Sequence, residues 1–481
     1  MTFNSIEFLI FYPIVLLLYF VLPKVAKWPM LLVASYFFYM CYNPALVVLI
    51  FGTTLVSWVC SILCEHTEKR ALKRLYLTLT LIVSLGVLFF YKYFDFVSTS
   101  IFDIFMPNDD PMLLNLLLPG GISFYTFQTL SYVIDVYRGD IKTERNFFFY
   151  ALFVSFFPQL VAGPIERPGN LIPQLKSPKK FNKDDAVKGA KHMIVGFFKK
   201  ICVADTIAVA VNSIYNNVES ATSFGVILAT VLFAVQIYCD FSGYTDIAIG
   251  CARIMGIRLM KNFNHPYHAT TIKEFWSRWH ISLSTWFRDY LYIPLGGNRC
   301  SKARHMLNLF IVFLVSGIWH GAAATFIIWG AIHGVYQIVG NLTYKPRARL
   351  LKACDLSESS PLVIWGRRII TFILVSFAWL FFRANSVDDA LYLLRTLFSF
   401  EGKMSDTLDL MGLDLAHIIL VVAAIFTLIL IDHALTYEDE GDNSGMLVRG
   451  GSFVYFTWAI IVCWVLLLSQ NLVSSFIYFA F

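Results

Sequence analysis

The chain has 481 residues, 58% of them hydrophobic and 15% charged, with a mean hydropathy of +0.65. One soluble core cannot hide that much apolar surface, so the composition predicts an integral membrane protein. The net charge of +6 comes without any Lys/Arg block interleaved with stacking aromatics, which argues against nucleic-acid binding and makes the charge a topology signal.

Apolar runs near the ~20 residues a bilayer requires lie at about 5–22, 45–64, 75–94, 187–215, 223–250, 322–343, 365–383, 413–432 and 453–472. The first has no basic flank and no small-residue cleavage site, and is expected to be a first transmembrane helix rather than a removed signal. Shorter or polar-interrupted runs at about 29–42, 119–137, 147–163 and 306–319 suit tilted, re-entrant or half-buried helices, which need protein or a cavity around them. Basic clusters mark the cytoplasmic side: Lys24 and Lys27, Lys69 to Arg74, Lys176 to Lys200, Arg253 to Arg304 and Lys345 to Arg368. The stretch 95–119 holds Asp103, Asp109 and Asp110 without Lys or Arg and is expected outside. Alternation from an outside N-terminus holds to about residue 145, where 119–137 and 147–163 leave one crossing unaccounted for, so one of them re-enters. The C-terminus then falls outside. No long Ser/Gly/Pro linker and no internal repeat appear, so residues 1–481 are expected to form a single integral-membrane domain. The nine cysteines are scattered without a C-x-x-C pair and read as small core residues, not as a disulfide or metal framework.

Four stretches carry polar chemistry. VAGPIERPGNLIPQ, residues 161–174, is a proline-punctuated turn and reads as a loop. QIYCDFSGYTDIAIG, residues 236–250, puts Gln236, Asp240, Ser242, Tyr244 and Asp246 where lipid would penalise them, so they must face protein or a water-filled cavity. Asp240 and Tyr244 share a face; a structural network is favoured over orientation of a catalytic group. Residues 262–299 hold three Trp, three Arg and three His, too polar for a spanning helix. Helical spacing places Trp276, His280, Ser284 and Phe287 on one face, and an amphipathic interfacial anchor competes with a functional reading. No metal site is expected, because His265 and His268 lack a nearby third ligand.

The helix that follows runs from Arg304 to His320, 16 steps or roughly 24 Å, which places His320 within the membrane nearer its outer half. A desolvated imidazole is uncharged and able to accept a proton, as a general base for a hydroxyl requires; a packing histidine bonded to a carbonyl is the plainer alternative. Gly321 and the alanines after it admit a close neighbour, and His333 lies one helix later, placed to face the same cavity. The chain ends SSFIYFAF, where Phe476, Tyr478 and Phe481 read as an aromatic belt.

Taken in order, PQLVAGPIER, DFSGYTDIAIG, NFNHPY, FWSRWHISLSTWFRDYLYIPLGGNR and GIWHG resemble the membrane-bound O-acyltransferase superfamily, in particular the bacterial branch acting in alginate and peptidoglycan O-acetylation and in D-alanyl transfer to teichoic acid. The resemblance covers the whole chain. It implies an all-α bundle with re-entrant and interfacial helices around a central tunnel, in the cell membrane, reached by a cytoplasmic thioester and an outer acceptor. His320, preceded by Trp319, matches the histidine to which the family assigns proton abstraction, and His280 matches the second. The terminal F-x-Y-x-x-F implies that Tyr478 is a transient acyl carrier.

On this basis acetyl-CoA is the expected donor, with no bound cofactor, and Arg278, Arg288 and Arg299 are candidates for its phosphates. Trp276, Ser242 and Tyr244 join His333 and Asp240 as candidate orienting residues. An extracytoplasmic SGNH-like acetyltransferase is the expected partner, alongside membrane lipids, with an acyl carrier protein as an alternative donor. Teichoic-acid D-alanyl transfer, a lysophospholipid acyltransferase and a glycan or lipid transporter are the competing readings.

Overall fold

The computed structural model describes residues 1–439, with backbone alone over 432–439, and further on Trp458, Ile461, Val462, Trp464, Val465, Phe476 and Ile477. The expected span at 453–472 therefore lies mostly outside the described residues. Among these residues all regular structure is helical.

The first half opens with α1 (Ile6–Val21), α2 (Lys24–Met40), α3 (Val47–His66) and α4 (Arg70–Leu88); α4 continues through a π-helical segment, Phe89–Tyr93, into α5 (Phe94–Phe105). Ser5 accepts the Phe8 N–H at the start of α1. Ile6, Leu17, Val48 and Ile82 point outward with more than 60% of their surface exposed, as helices facing hydrocarbon require. Next come α6 (Ile122–Arg138), α7 (Phe147–Ser155) and α8 (Pro168–Lys176). Left-handed glycines, Gly121 and Gly139, bound α6 at both ends.

Neither of the two ambiguous runs forms a helix long and apolar enough to cross a membrane, α6 having 17 residues, and 147–163 is the shorter. Its helix α7 has nine residues, about 14 Å at ~1.5 Å each, and irregular backbone follows. Every residue from 150 to 166 is buried, which is how non-helical chain survives at this depth. Glu166 closes the segment. Its carboxylate accepts the Met260 N–H and an Asn170 Nδ2–H at 2.7 Å, while burial pushes the carboxyl up to about 7. A stretch expected to be a plain loop is thus a buried staple.

The second half contains α9 (Lys183–Phe197), a π-helical segment Phe198–Asp205, α10 (Thr206–Tyr215) and the 32-residue α11 (Ser223–Ile254). Lys199 and Lys200, expected among cytoplasmic loop charges, are instead buried in ion pairs with Asp246 and Asp240 on α11. The π segment turns both ammonium groups inward, where only a paired charge is tolerable. The 262–299 stretch forms two short helices, α12 (Ile272–Arg278) and α13 (Ile281–Phe287), instead of the single helix expected. Four longer or outer helices follow: α14 (Lys302–His320), α15 (Ala324–Ala353), α16 (Pro361–Arg383) and α17 (Val387–Ser399), then α18 (Met404–Leu410) and α19 (Leu415–Asp439).

Among the described residues, Pro44–His66, Arg70–Phe105, Ser223–Ile254, Lys302–His320 and Pro361–Arg383 are long and apolar enough to cross a membrane, and Met404–Leu410 with Leu415–Ile431 form a pair bent by 81°. The run at 306–319 is thus longer than its apolar part suggested. Ser301 caps it, and its first polar turn carries the helix toward the interface.

Two aromatic-rich cores meet along α11. Tyr244, Ile247 and Ala248 belong to one, with α1, α2, α6, α7 and Trp319. Phe233, Ile237 and Tyr238 belong to the other, with α10, α12, α16 and Trp329. Glycine makes the helix contacts close. A Cβ on Gly196 of α9 would lie 2.6 Å from Gly243 O of α11, and one on Gly250 would lie 2.5 Å from Gly189 O, so both pairs pack backbone to backbone. Replacing Gly196 with Leu should therefore overpack the seam and cost about 1–3 kcal/mol. Gly52, with nothing within 4 Å of an added Cβ, should tolerate Ala with unchanged or raised stability. Thermal unfolding of the two purified variants in detergent checks the opposite signs.

Candidate active site

Helix α14 ends on His320, and Gly321 leaves it in extended backbone (φ −163°, ψ 156°). A side chain at Gly321 would collide with the Phe326 ring, and one at Gly330 would come within 2.5 Å of Phe313 O. The absence of both side chains lets α15 fold back along α14 and brings the Trp329 ring to 5.0 Å from His320, edge-on. His320 is 3% exposed.

His280 arrives by a different device. It sits between α12 and α13 in the left-handed region, φ 45° and ψ 54°, where residues with a side chain are uncommon and local strain gathers at functional sites. Asn262 pins the break. Its carbonyl oxygen accepts the Ile281 N–H at 2.9 Å, and its side-chain Oδ1 accepts the Ser282 hydroxyl at 2.6 Å. The expected shared face of Trp276, His280, Ser284 and Phe287 does not exist, because the kink re-aims everything beyond residue 279. The result places the His280 ring, fully buried, 6.5 Å from that of His320 and 4.7 Å from Phe241 of α11.

Two recesses flank this pair. One is a narrow cleft of about 20 Å³, room for a water-sized group, lined by Lys92, Gly121, Ser123, Val161, Trp319 and His320. It opens beside the 95–119 stretch, which is expected outside. The other is a cavity of about 390 Å³ whose lining includes Lys273, Trp276, Arg288, Tyr292, Ser316 and Gln337, on the side where basic residues cluster. Ser316 precedes His320 by four residues, about 6 Å along the helix, so the last turn of α14 stands between the two recesses.

Trp276 and His333 are brought together. The indole Nε1–H donates to His333 Nδ1 at 3.2 Å, and because an indole nitrogen can only donate, the proton of a neutral His333 belongs on Nε2. Trp329 lies between this pair and His320, 5.0 Å from each imidazole. Trp319 packs 5.4 Å from Phe124 and from Phe127.

Asp240 belongs to a buried ionic network. It accepts from Lys200 Nζ at 2.7 Å, and Lys200 also meets Asp205 at 2.8 Å. Its second oxygen accepts the backbone N–H of Ile477 at 2.8 Å, while Lys200 lies 4.5 Å from the Phe476 ring and Tyr244 meets Phe476 edge-on at 5.1 Å. The network reading of Asp240 and Tyr244 thus gains a purpose, since both hold the start of the terminal aromatic motif. Tyr478 and Phe481 lie outside the described residues. Ser242 is buried on α11, and its hydroxyl has no hydrogen-bond partner among them.

The arginines divide. Arg288 lines the larger cavity while paired with Asp289 at 2.8 Å. Arg278 is engaged by Glu274 at 2.9 Å and by the Asn264 carbonyl. Arg299 is exposed. Sequence reading missed Lys92, the lone charge in the 75–94 run, which the structure brings to the backbone of His320 itself. Its signal was present, since an intramembrane ionisable residue is a functional candidate by default.

Comparison with known proteins identifies the family. The model of the MBOAT, membrane-bound O-acyltransferase, family matches residues 141–382, which include both histidines and the kinked segment. The chain is 39% identical over 405 residues to a probable alginate O-acetylase of Pseudomonas aeruginosa, covering 83% of this chain and 75% of that one. It is 35% identical over 427 residues to a peptidoglycan O-acetyltransferase of Helicobacter pylori, covering 82% and 78%. A teichoic acid D-alanyltransferase of Bacillus subtilis is 31% identical over 244 residues, 48% of this chain and 61% of that protein. With helices built for the bilayer, a buried histidine pair between two recesses and these relatives, the chain belongs to the membrane-bound O-acyltransferase family and is an O-acyltransferase of the membrane.

Proposed function

We propose that residues 1–481 form one catalytic unit in the cytoplasmic membrane that passes an acetyl group from a cytoplasmic thioester, acetyl-CoA, toward a polysaccharide or cell-wall glycan outside. The observation that carries this reading is the position of His320, buried 6.5 Å from His280 between an outer cleft and a cavity with basic residues at its rim. A thioester arm in the larger cavity would bring its carbonyl toward the last turn of α14, with Arg288 available to its phosphates. His320 then takes the proton of the attacking hydroxyl and returns it to the leaving thiolate, while His280, walled by Phe241, Phe124 and Trp319, keeps water from the reacting ring. Acetyl is preferred to D-alanyl because the O-acetyltransferase relatives align over more than four-fifths of the chain and the D-alanyltransferase over about half.

Tyr478 is proposed as the first acceptor. This reading is supported by Asp240 and Lys200, which seat Phe476 and Ile477 on α11, and by Phe241, the next residue along α11 from Asp240, which packs on His280. The ester formed there is then handed to an SGNH-like transferase on the outer side, which completes delivery to the glycan.

His320→Ala should lower turnover by at least about 100-fold with an unchanged melting temperature; a purified, folded variant at wild-type rate removes the base assignment. Intact-mass analysis of a turnover mixture should find one acetyl group, on Tyr478. Full activity after deletion of residues 476–481 would instead favour a lipid acceptor and leave the terminal motif without a role.

A further inference from the structure

A helix that stops inside a membrane protein leaves its last carbonyls without partners. At the end of α14 these are met from the π-helical segment Phe89–Tyr93. Tyr93 donates to Ile318 O at 2.8 Å, and Lys92 Nζ donates to Trp319 O at 2.8 Å and His320 O at 2.9 Å. A π turn carries one extra residue, and here it aims two adjacent side chains at three consecutive carbonyls.

Capping explains Tyr93 fully and Lys92 only in part. Its nearest polar groups are neutral: two carbonyls and, at 3.4 Å, Ser123 Oγ. Among the described residues no carboxylate forms an ion pair with it, whereas Lys199 and Lys200 each have one. The dipole of α14 offers about half an elementary charge, so a partly uncompensated cation remains, half-buried among neutral groups, and withdrawing a cation from water is costly. An ammonium has three N–H donors. Two are spent on the helix end, and the third makes a long bond, 3.4 Å, to Ser123 Oγ in the same cleft that His320 lines.

We propose that Lys92 is a catalytic residue that holds the acyl carbonyl oxygen as negative charge develops on it, with the Ser123 hydroxyl as second donor. The step rests on the reading of His320 as base. The acceptor O–H gives its proton to the His320 ring, the oxygen bonds to the acyl carbon, and the carbonyl π pair moves onto the oxygen facing Lys92. When that pair returns, the C–S bond breaks and the thiolate takes the proton from the imidazolium, so the products are an ester and a thiol. The charge that Lys92 lacks in the resting protein is the charge the tetrahedral intermediate supplies, which makes the interaction stronger in the transition state than in the ground state.

The test uses the purified full-length protein in detergent, acetyl-CoA as the thioester probe, and release of free CoA as the readout. Lys92→Met should lower kcat by at least about 100-fold, the usual effect of losing one such donor, with KM within a few-fold of wild type; Lys92→Arg, which keeps the cation, should recover part of the loss. Tyr93→Phe separates the two roles, because it removes a helix-end donor that does not line the cleft, and it should retain turnover within a few-fold. Lys92→Met at near wild-type kcat, or Tyr93→Phe losing as much as Lys92→Met, overturns the proposal. Should Lys92→Met not fold, Ser123→Ala leaves the helix end capped: a loss of tenfold or more supports the oxyanion site, and unchanged kcat overturns it. His320→Gln distinguishes the parent reading, since full turnover there beside an inactive Lys92→Met would remove the base and leave Lys92 in place.

Discussion

The constraint on which the site depends is that α14 must end at residue 320 inside the protein. A spanning helix that ran on would carry His320 past its neighbours as one more lateral side chain. One that ended without donors would leave bare carbonyls in a medium with no water. Lys92 and Tyr93 resolve this by hydrogen bonding, and Gly321 resolves it by shape, since no side chain fits against Phe326. The chain then turns into α15 and places Trp329 on the imidazole it has just delivered. The hydrogen-bonding solution comes from a segment more than 200 residues away in sequence, so the position of His320 is a property of the assembled bundle.

That dependence explains where sequence reasoning succeeded. The expectation of a buried His320 on the helix that starts near Arg304 holds, since the residue ends α14 with 3% of its surface exposed. The polar cluster on α11 was recognisable because Asp and Gln in an apolar run must find partners. What escaped were features that break regular periodicity. His280 is in the left-handed region, and nothing in WSRWHISLS says that a non-glycine residue will reverse the helix there; the partner that holds it, Asn262, lies 18 residues earlier. Lys92 sits among aromatics in a run that reads as ordinary span, and only a π turn, itself invisible in composition, aims it inward. Lys199 and Lys200 misled for the same reason, since a second π segment converts two apparent loop charges into buried ones.

The buried charges also divide the labour of the bundle. Lys199 and Lys200 pair with carboxylates across the glycine-packed seam of α9 and α11. Pairs of this kind are weak sources of net stability but strong determinants of register, because a slip of one turn would leave each charge alone. The register matters here. α11 contributes to both cores, carries Phe241 against His280, and offers Asp240 to the backbone of Ile477, so an error along it would misplace the second histidine and the terminal motif together.

Under the function proposed above, the same geometry bears on how a soluble thioester could serve an acceptor on the far side of a membrane without a leak. Among the described residues the last turn of α14 lies between the two recesses, and the indoles of Trp319, Trp276 and Trp329 pack around the imidazoles. Each is bulky and stiff, so a route wide enough for water would require several rings to move at once. Under that proposal, a thin wall carrying His320 would let an acyl group pass between partners on either side while neither partner crosses. A transporter would need a different arrangement, a polar path that opens alternately to each face, whereas the rings packed around His320 and His333 are aromatic.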